Sequence, residues 1–300
     1  MRAMGKARII RSSNGGGVMA RPAGAIAREK SETIATLVVL VLLSVIFVVP
    51  FIWMALSSLK RPEDLFLVPM RWLPPRPQWH NYVKIFSQFP FMVDLRNTMI
   101  LVVLNAIGAV ISNTLVAYGF SKIEWKGRDA VFWVVLATII LPFQVVLIPL
   151  FIFYHKLHWI GTLFPLWVPA FFGNAFFIFL LRQFFLSIPN ELSYAAKIDG
   201  AGDLMIYRTI VIPLSAPAIA TVVIFAFLRT WNDFIGPLIF LTDARWYTLS
   251  LGAQQIMHNL DPKWDILLTL GVMMTFPVLI IFFLLQKYFI QGIAMSGIKG

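Results

Sequence analysis

Six apolar stretches, each long enough to cross a lipid bilayer, limit what this chain can fold into more than any other feature of its sequence. The bilayer core offers no water to peptide N–H and C=O groups, so segments that enter it singly must be α-helices. Each helix needs roughly twenty mostly apolar residues. The stretches run from Thr33 to Leu56, Asn97 to Phe120, Ala130 to Tyr154, Leu163 to Phe185, Ser215 to Leu241 and Trp264 to Phe289. They predict an all-α polytopic membrane protein with six transmembrane helices. A composition of 59% hydrophobic against 13% charged residues agrees, since soluble domains carry far more charge. The first stretch is too long for the core of a signal peptide and reads as a retained span. Pro142 and Pro149 predict a kink in the third.

The formal charge of +11 does not point to nucleic acid, because the basic residues are scattered through the short segments between apolar stretches. Residues 1–32, rich in glycine and serine with seven Lys or Arg, read as a flexible basic tail. Six spans place both termini on one side. The segments on that side hold fifteen Lys or Arg against nine on the other, which favours cytoplasmic termini in the plasma (inner) membrane. The expected organisation is a tail over 1–32, a six-helix transmembrane domain over 33–289 and a second tail over 290–300. Within the domain, residues 57–96 form an external loop and 186–214 a cytoplasmic one. Pro74, Pro75 and Pro77 stiffen the external loop, and "QWHNYVKIF" predicts a short amphipathic helix. It is either a lid over the outer helix ends or a docking surface for an external partner.

"NELSYAAKIDGAGDLMIYRTIVIPL", residues 190–214, is polar and small where its flanks are apolar. Asn190 is placed to cap a first helix, Gly200 and Gly202 to end it, and Asp203 to cap a second. Pro213 and Pro217 stop that second helix. Leu192, Ala195, Ala196 and Asp199 share one face of the first helix, with Tyr194 and Ile198 beside it. So short a helix is unstable alone and must rest on its own spans or on a partner.

These residues resemble the EAA loop of ABC importer permeases, whose pattern is roughly E-A-A-x-x-D-G-A, then an aromatic, then I-x-L-P. Ala195, Ala196, Asp199, Gly200, Ala201, Tyr207, Ile210 and Pro213 fill its positions, Ile212 stands for leucine, and Tyr194 takes the place of the glutamate. "WLPPRPQWHNYVKIF", "FLLRQFFLSIPNEL", "WNDFIGPLIFL" and "YFIQGIAMSGIKG" are similar, in the same order, to the second permease of maltose-type and glycerol-phosphate-type importers. The resemblance implies a type I ABC importer permease fold, paired with a second homologous permease, two cytoplasmic ATPase subunits and an external substrate-binding protein. It implies that Tyr194, Ala195, Ala196, Asp199, Gly200 and Ala201 form a coupling helix seated on the ATPase. ATP and magnesium would lie on that partner, with no cofactor on this chain. Transport would proceed by alternating access, carrying a sugar or related polyol.

No G-x-x-x-x-G-K-S/T phosphate loop is present, so ATP hydrolysis is not expected here. The chain has no cysteine and lacks H-E-x-x-H and G-x-S-x-G, which leaves a membrane enzyme without a catalytic constellation. His155 and His158, three apart, can share a helix face, but without a carboxylate they read as an interfacial helix end rather than a metal site. In the fifth span, Arg229 and Asp233 are four apart and are expected to pair along the helix. Trp231 and Asn232, with Asn174 and Gln144 from earlier spans, are candidates to line a substrate path. Gly236 and Pro237 are expected to break the fifth helix and expose backbone to that path. Asn113, Gln144 and Asn174 suit either interhelical hydrogen bonds or ligand contacts. A self-sufficient secondary transporter or channel is the competing reading, and the absence of a relay of intramembrane charges and of an internal repeat counts against it.

Overall fold

A computed structural model of the chain describes residues 23–258 and 263–296, with side chains over 32–257 and 263–286. The predicted basic tail before Ala23 and the last four residues lie outside the described residues. The described residues form helices and no strands. They divide into two units, one up to Leu56 and the other from Ser57 onward.

Helix α1, Ala23–Ser58, holds most of the first unit, and an 18-residue window within Glu32–Ser58 reaches a mean hydropathy of 3.0. It opens before the expected span because residues 23–32 are mostly strong helix formers such as Ala, Glu, Lys and Arg. That part of the anticipated tail is therefore helical.

In the second unit α2, Pro62–Leu65, and α3, Asn81–Gln88, occupy the 57–96 connection and lead into α4, Phe91–Ser121. The predicted amphipathic helix is α3, and its buried residues Asn81 and Ile85 face protein. The connection is fastened at several points. Asn81 Nδ2 donates to the carbonyls of Ser58 and Lys60 at 2.9 and 3.2 Å. The fully buried Lys60 donates from Nζ to the Arg71 carbonyl at 2.7 Å, and Lys84 pairs with the buried Asp265 at 2.9 Å.

The third apolar stretch forms α5, Arg128–Ala137, a 3-10 turn over Thr138–Ile140, and α6, Phe143–Lys156. The expected kink is a full break of 97°. Pro142 has no N–H to continue the ladder and holds Leu141 in extended geometry, φ −74° and ψ 112°. The fourth stretch contains α7, Phe164–Trp167, a 3-10 segment over Val168–Phe172, and α8, Ala175–Ser187. Next come α9, Asn190–Ile198, α10, Asp203–Ile206, a π-helical turn over Tyr207–Val211, and α11, Ile212–Leu214. After a bend of 78° the chain enters α12, Ala216–Trp231.

The fifth helix ends earlier than expected. It stops at Trp231, and a separate α13, Ile235–Phe240, follows. The break lies at Asn232–Phe234, while Gly236 and Pro237 are buried inside α13. Proline is tolerated there because first-turn N–H groups have no intrahelical partner. Helices α14, Leu249–His258, and α15, Trp264–Ser296, complete the chain. α15 runs past the predicted end at Phe289 and takes in most of the expected C-terminal tail. Among the described residues four helical segments are each long and apolar enough to span, and the number rises to six when each of the two bent pairs is counted as one span.

α4 is the central helix of the second unit, packing most extensively against α12 and α8. A Cβ on its Gly108 would lie 2.6 Å from the Phe171 ring and 3.1 Å from the Ala170 backbone, so glycine is what admits the 168–172 turn. One buried cluster joins Ala117, Phe185, Ile206, Val211 and Val222. A second joins Ile85, Phe227, Trp231, Leu249 and Leu270.

Candidate functional site

Two features are built around α4: a folded segment past its C-terminal end, and a cavity along its length.

In the segment, α9 is closed by a Schellman turn. The Ala201 N–H donates to the Ala196 carbonyl at 2.9 Å and the Gly200 N–H to the Lys197 carbonyl at 3.0 Å. Gly200 sits at φ +85°, the left-handed geometry expected of it. The expected caps differ. Pro189 holds the cap position, and the Asn190 side chain instead accepts from Lys122 Nζ at 2.7 Å. Lys122 also donates to the Ile188 carbonyl at 2.6 Å. Burial holds this ammonium below the ordinary lysine value, with the Glu191 charge acting in the opposite sense. Gly202 precedes α10, while Asp203 forms an exposed ion pair with Lys197 at 3.1 Å.

Two hydroxyls tie the segment to α4. The Tyr207 and Thr114 hydroxyl oxygens are 2.7 Å apart, and Tyr118 donates to the Asp203 carbonyl at 3.0 Å. The two tyrosine rings meet edge to face at 5.3 Å. Of the six residues singled out, Tyr194, Ala195, Asp199 and Gly200 are exposed. Ala196 and Ala201 turn inward and pack on the cluster with Ile206 and Val211. Ala196 and Ala201 therefore serve the chain's own packing, while Ala195 stays on the outer surface. Ile198 is 87% exposed, Leu204 72%, Met205 59% and Tyr194 57%, which leaves an apolar knob where a solvated turn would carry polar groups.

The cavity, about 510 Å³, lies among α4, α6, the 165–174 turn, α12 and α13. A polar stripe on α4 holds its wall. Asn105 Nδ2 donates to the Leu166 carbonyl at 2.9 Å, and Ser112 Oγ donates to the Ala170 carbonyl at 2.9 Å. Asn113 Oδ1 accepts the Asn174 N–H at 2.6 Å. Asn174 in turn caps α8 through its Oδ1, accepting from Phe176 and Phe177.

Of the four path candidates, only Asn174 lines the cavity. Trp231 is buried, donates from its indole N–H to the Met274 carbonyl at 3.2 Å, and stacks on Phe227. Asn232 is exposed and closes α12 by donating to the Leu228 carbonyl at 2.8 Å. Gln144 is exposed in the first turn of α6, outside the cavity wall. Arg229 and Asp233 both line the cavity but form no ion pair, because the helix ends between them and Asp233 Oδ1 instead accepts the Gly236 N–H at 3.1 Å. His155 and His158 share no helix face either, since α6 ends at Lys156 and His158 occupies the left-handed position at φ +57°. Thr114, Tyr118 and Asn105 were not singled out from sequence. Their signal is in the sequence, since Thr114 and Tyr118 are four apart and Asn105 is seven before Ser112, so each pair shares a face of an otherwise apolar span.

Residues 114–295 match the family model described as binding-protein-dependent transport system inner membrane component. The chain is 33% identical to the probable ABC transporter permease protein YurM of Bacillus subtilis, over 84% of this chain and 83% of that one. It is 31% identical to the trehalose/maltose transport system permease protein MalG of Thermococcus litoralis, over 91% and 99%. Its fold matches a crystal structure of a bacterial ABC transporter involved in import of the acidic polysaccharide alginate. The TM-score is 0.78 at 23% identity, covering 91% of this chain and 100% of that one.

Proposed function

Because the chain belongs to the family of binding-protein-dependent transport system inner membrane components, we propose that it is one permease of a sugar importer driven by separate ATPase subunits. The exposed apolar knob of Tyr194, Ile198, Leu204 and Met205 carries this reading. Such side chains stay in water only at a cost, and burying each in a partner contributes roughly 1.5–3 kcal/mol. The EAA-like pattern at Ala195–Ala201 supports the ATPase as that partner, with residues 190–212 as the coupling element. The Lys and Arg distribution supports a cytoplasmic position for this element.

The assembly would contain a second homologous permease, two ATPase subunits holding ATP and magnesium, and an external binding protein, in line with the family description. A sugar or related polyol as cargo is supported by relatives such as the trehalose/maltose permease. In this reading the knob moves with the ATPase, the Tyr207–Thr114 and Tyr118–Asp203 contacts pass the displacement to α4, and α4 carries one wall of the cavity. This chain supplies geometry and the partner supplies hydrolysis.

The test is to co-express all subunits with Ile198→Asp and Leu204→Asp in this chain. Retained membrane insertion with lost ATPase co-purification and lost binding-protein-stimulated hydrolysis is expected. Normal assembly and stimulation would reject the docking role.

A further inference from the structure

Arg229 is the observation that the importer reading leaves unused. It projects from the last turn of α12, is exposed, and lines the cavity. Among the described residues it has no hydrogen bond or ion pair, although the Asp233 carboxylate, four residues on, lines the same cavity and attracts it. Asp233 Oδ1 accepts the Gly236 N–H, and its Oδ2 lies against the same glycine, where an added Cβ would come within 2.6 Å. A guanidinium stays charged at any physiological pH, and in the wall of a membrane cavity its N–H groups, which here have no hydrogen-bond partner among the described residues, gain from a ligand that accepts from them.

The neighbouring polar atoms are complementary to hydroxyls. Asn105 spends its amide nitrogen on the Leu101 and Leu166 carbonyls and keeps its oxygen free as an acceptor. Asn174 spends its oxygen on the first turn of α8 and keeps its amide hydrogens free as donors. Around them the wall is apolar and aromatic, including Phe143, Phe177 and Phe240. That combination suits the mixed hydroxyl and C–H faces of a sugar ring, with the Arg229 N–H groups left to receive an oxyanion beside the Asp233 carboxylate.

We propose that this cavity passes an acidic saccharide, with the Arg229 guanidinium receiving the oxygens of its carboxylate, sulfonate or phosphate group. Guanidinium forks match all three anions in a bidentate manner, so the geometry specifies an oxyanion and the experiment separates the three. Arg229 is thus a specificity-determining residue for a path that would otherwise accept neutral sugars. The inference rests on the importer reading but makes a separate claim, about charge.

The importer is assembled in proteoliposomes with its own binding protein and supplied with digalacturonate, a 6-sulfonated glucose, glycerol 3-phosphate and neutral galactobiose in parallel. At least one anionic probe is expected to enter at least tenfold faster than the neutral sugar. Arg229→Gln is expected to lower that uptake at least tenfold with assembly and binding-protein affinity unchanged, and Arg229→Lys to recover part of it. Preferred uptake of the neutral sugar, or an anion-to-neutral ratio that Arg229→Gln leaves unaltered, overturns the proposal. So does recovery of Arg229→Glu by reversing a carboxylate on the second permease, which would make the arginine an interface residue. Entry of none of the saccharides contradicts the importer reading itself, and this inference with it.

Discussion

The hydroxyl oxygens of Tyr207 and Thr114 lie 2.7 Å apart, joining the π-helical turn that follows the apolar knob to the C-terminal third of the central helix. The two residues are 93 positions apart in the chain, so this contact brings a surface element and a span under one constraint. Tyr207→Phe keeps the ring packed edge to face on Tyr118 and removes only the hydroxyl. A loss of about 1 kcal/mol is expected, as for a typical hydrogen bond. The informative readout is the ratio of solute imported to ATP hydrolysed, which should fall while hydrolysis persists. An unchanged ratio would show that the contact carries no displacement.

Gly200 gives a prediction of a different kind. Nothing lies within 4 Å of where its Cβ would be, so a bulky side chain meets no obstacle within the chain. The cost comes from the backbone, since φ +85° disfavours a β-branched residue by about 1–2 kcal/mol. Gly200→Val is expected to unwind the Schellman turn and reduce binding-protein-stimulated ATPase activity. Gly200→Asn, which tolerates the left-handed region, should retain most of it.

Asn113→Ala removes the acceptor for the Asn174 N–H and frees the turn that carries the cavity wall. Losing such a half-buried hydrogen bond costs about 1 kcal/mol. The expected result is a lower thermal midpoint of the detergent-solubilised complex, with membrane insertion intact.

His158 holds the C′ position of a second Schellman turn, its N–H donating to the His155 carbonyl at 3.0 Å and the Trp159 N–H to the Tyr154 carbonyl at 3.0 Å. A non-glycine residue at φ +57° pays for its Cβ, so His158→Gly should stabilise the protein by about 1 kcal/mol. A raised thermal midpoint checks this, and a lowered one would mean that the imidazole has a role.

Much of this architecture was legible in the sequence because the bilayer enforces one local rule, that every peptide group be paired within its own helix. The six stretches and the left-handed Gly200 follow from that rule and from glycine chemistry. What sequence could not supply was the competition for each polar atom. Asn190 had the residue type of a cap, yet Lys122, 68 positions earlier, takes its oxygen. Arg229 and Asp233 had helical spacing, yet the helix ends between them at Trp231. Trp231 looked like a path aromatic, but its indole N–H is satisfied by Met274 from another span. In each case the deciding partner comes from a distant stretch or from a helix end, neither of which periodicity marks.

The chain contains no cysteine, so a single introduced thiol reports on one place alone. Ile198→Cys in the full assembly, probed from each side of the membrane with an impermeant maleimide and then with a short bifunctional cross-linker, tests whether the knob at residues 190–212 grips a separate motor. Labelling only from the cytoplasmic side, protection when the ATPase is present and a cross-link to that ATPase are predicted. Labelling from the outer side, or equal reactivity with and without the ATPase and no cross-link to it, would contradict the account.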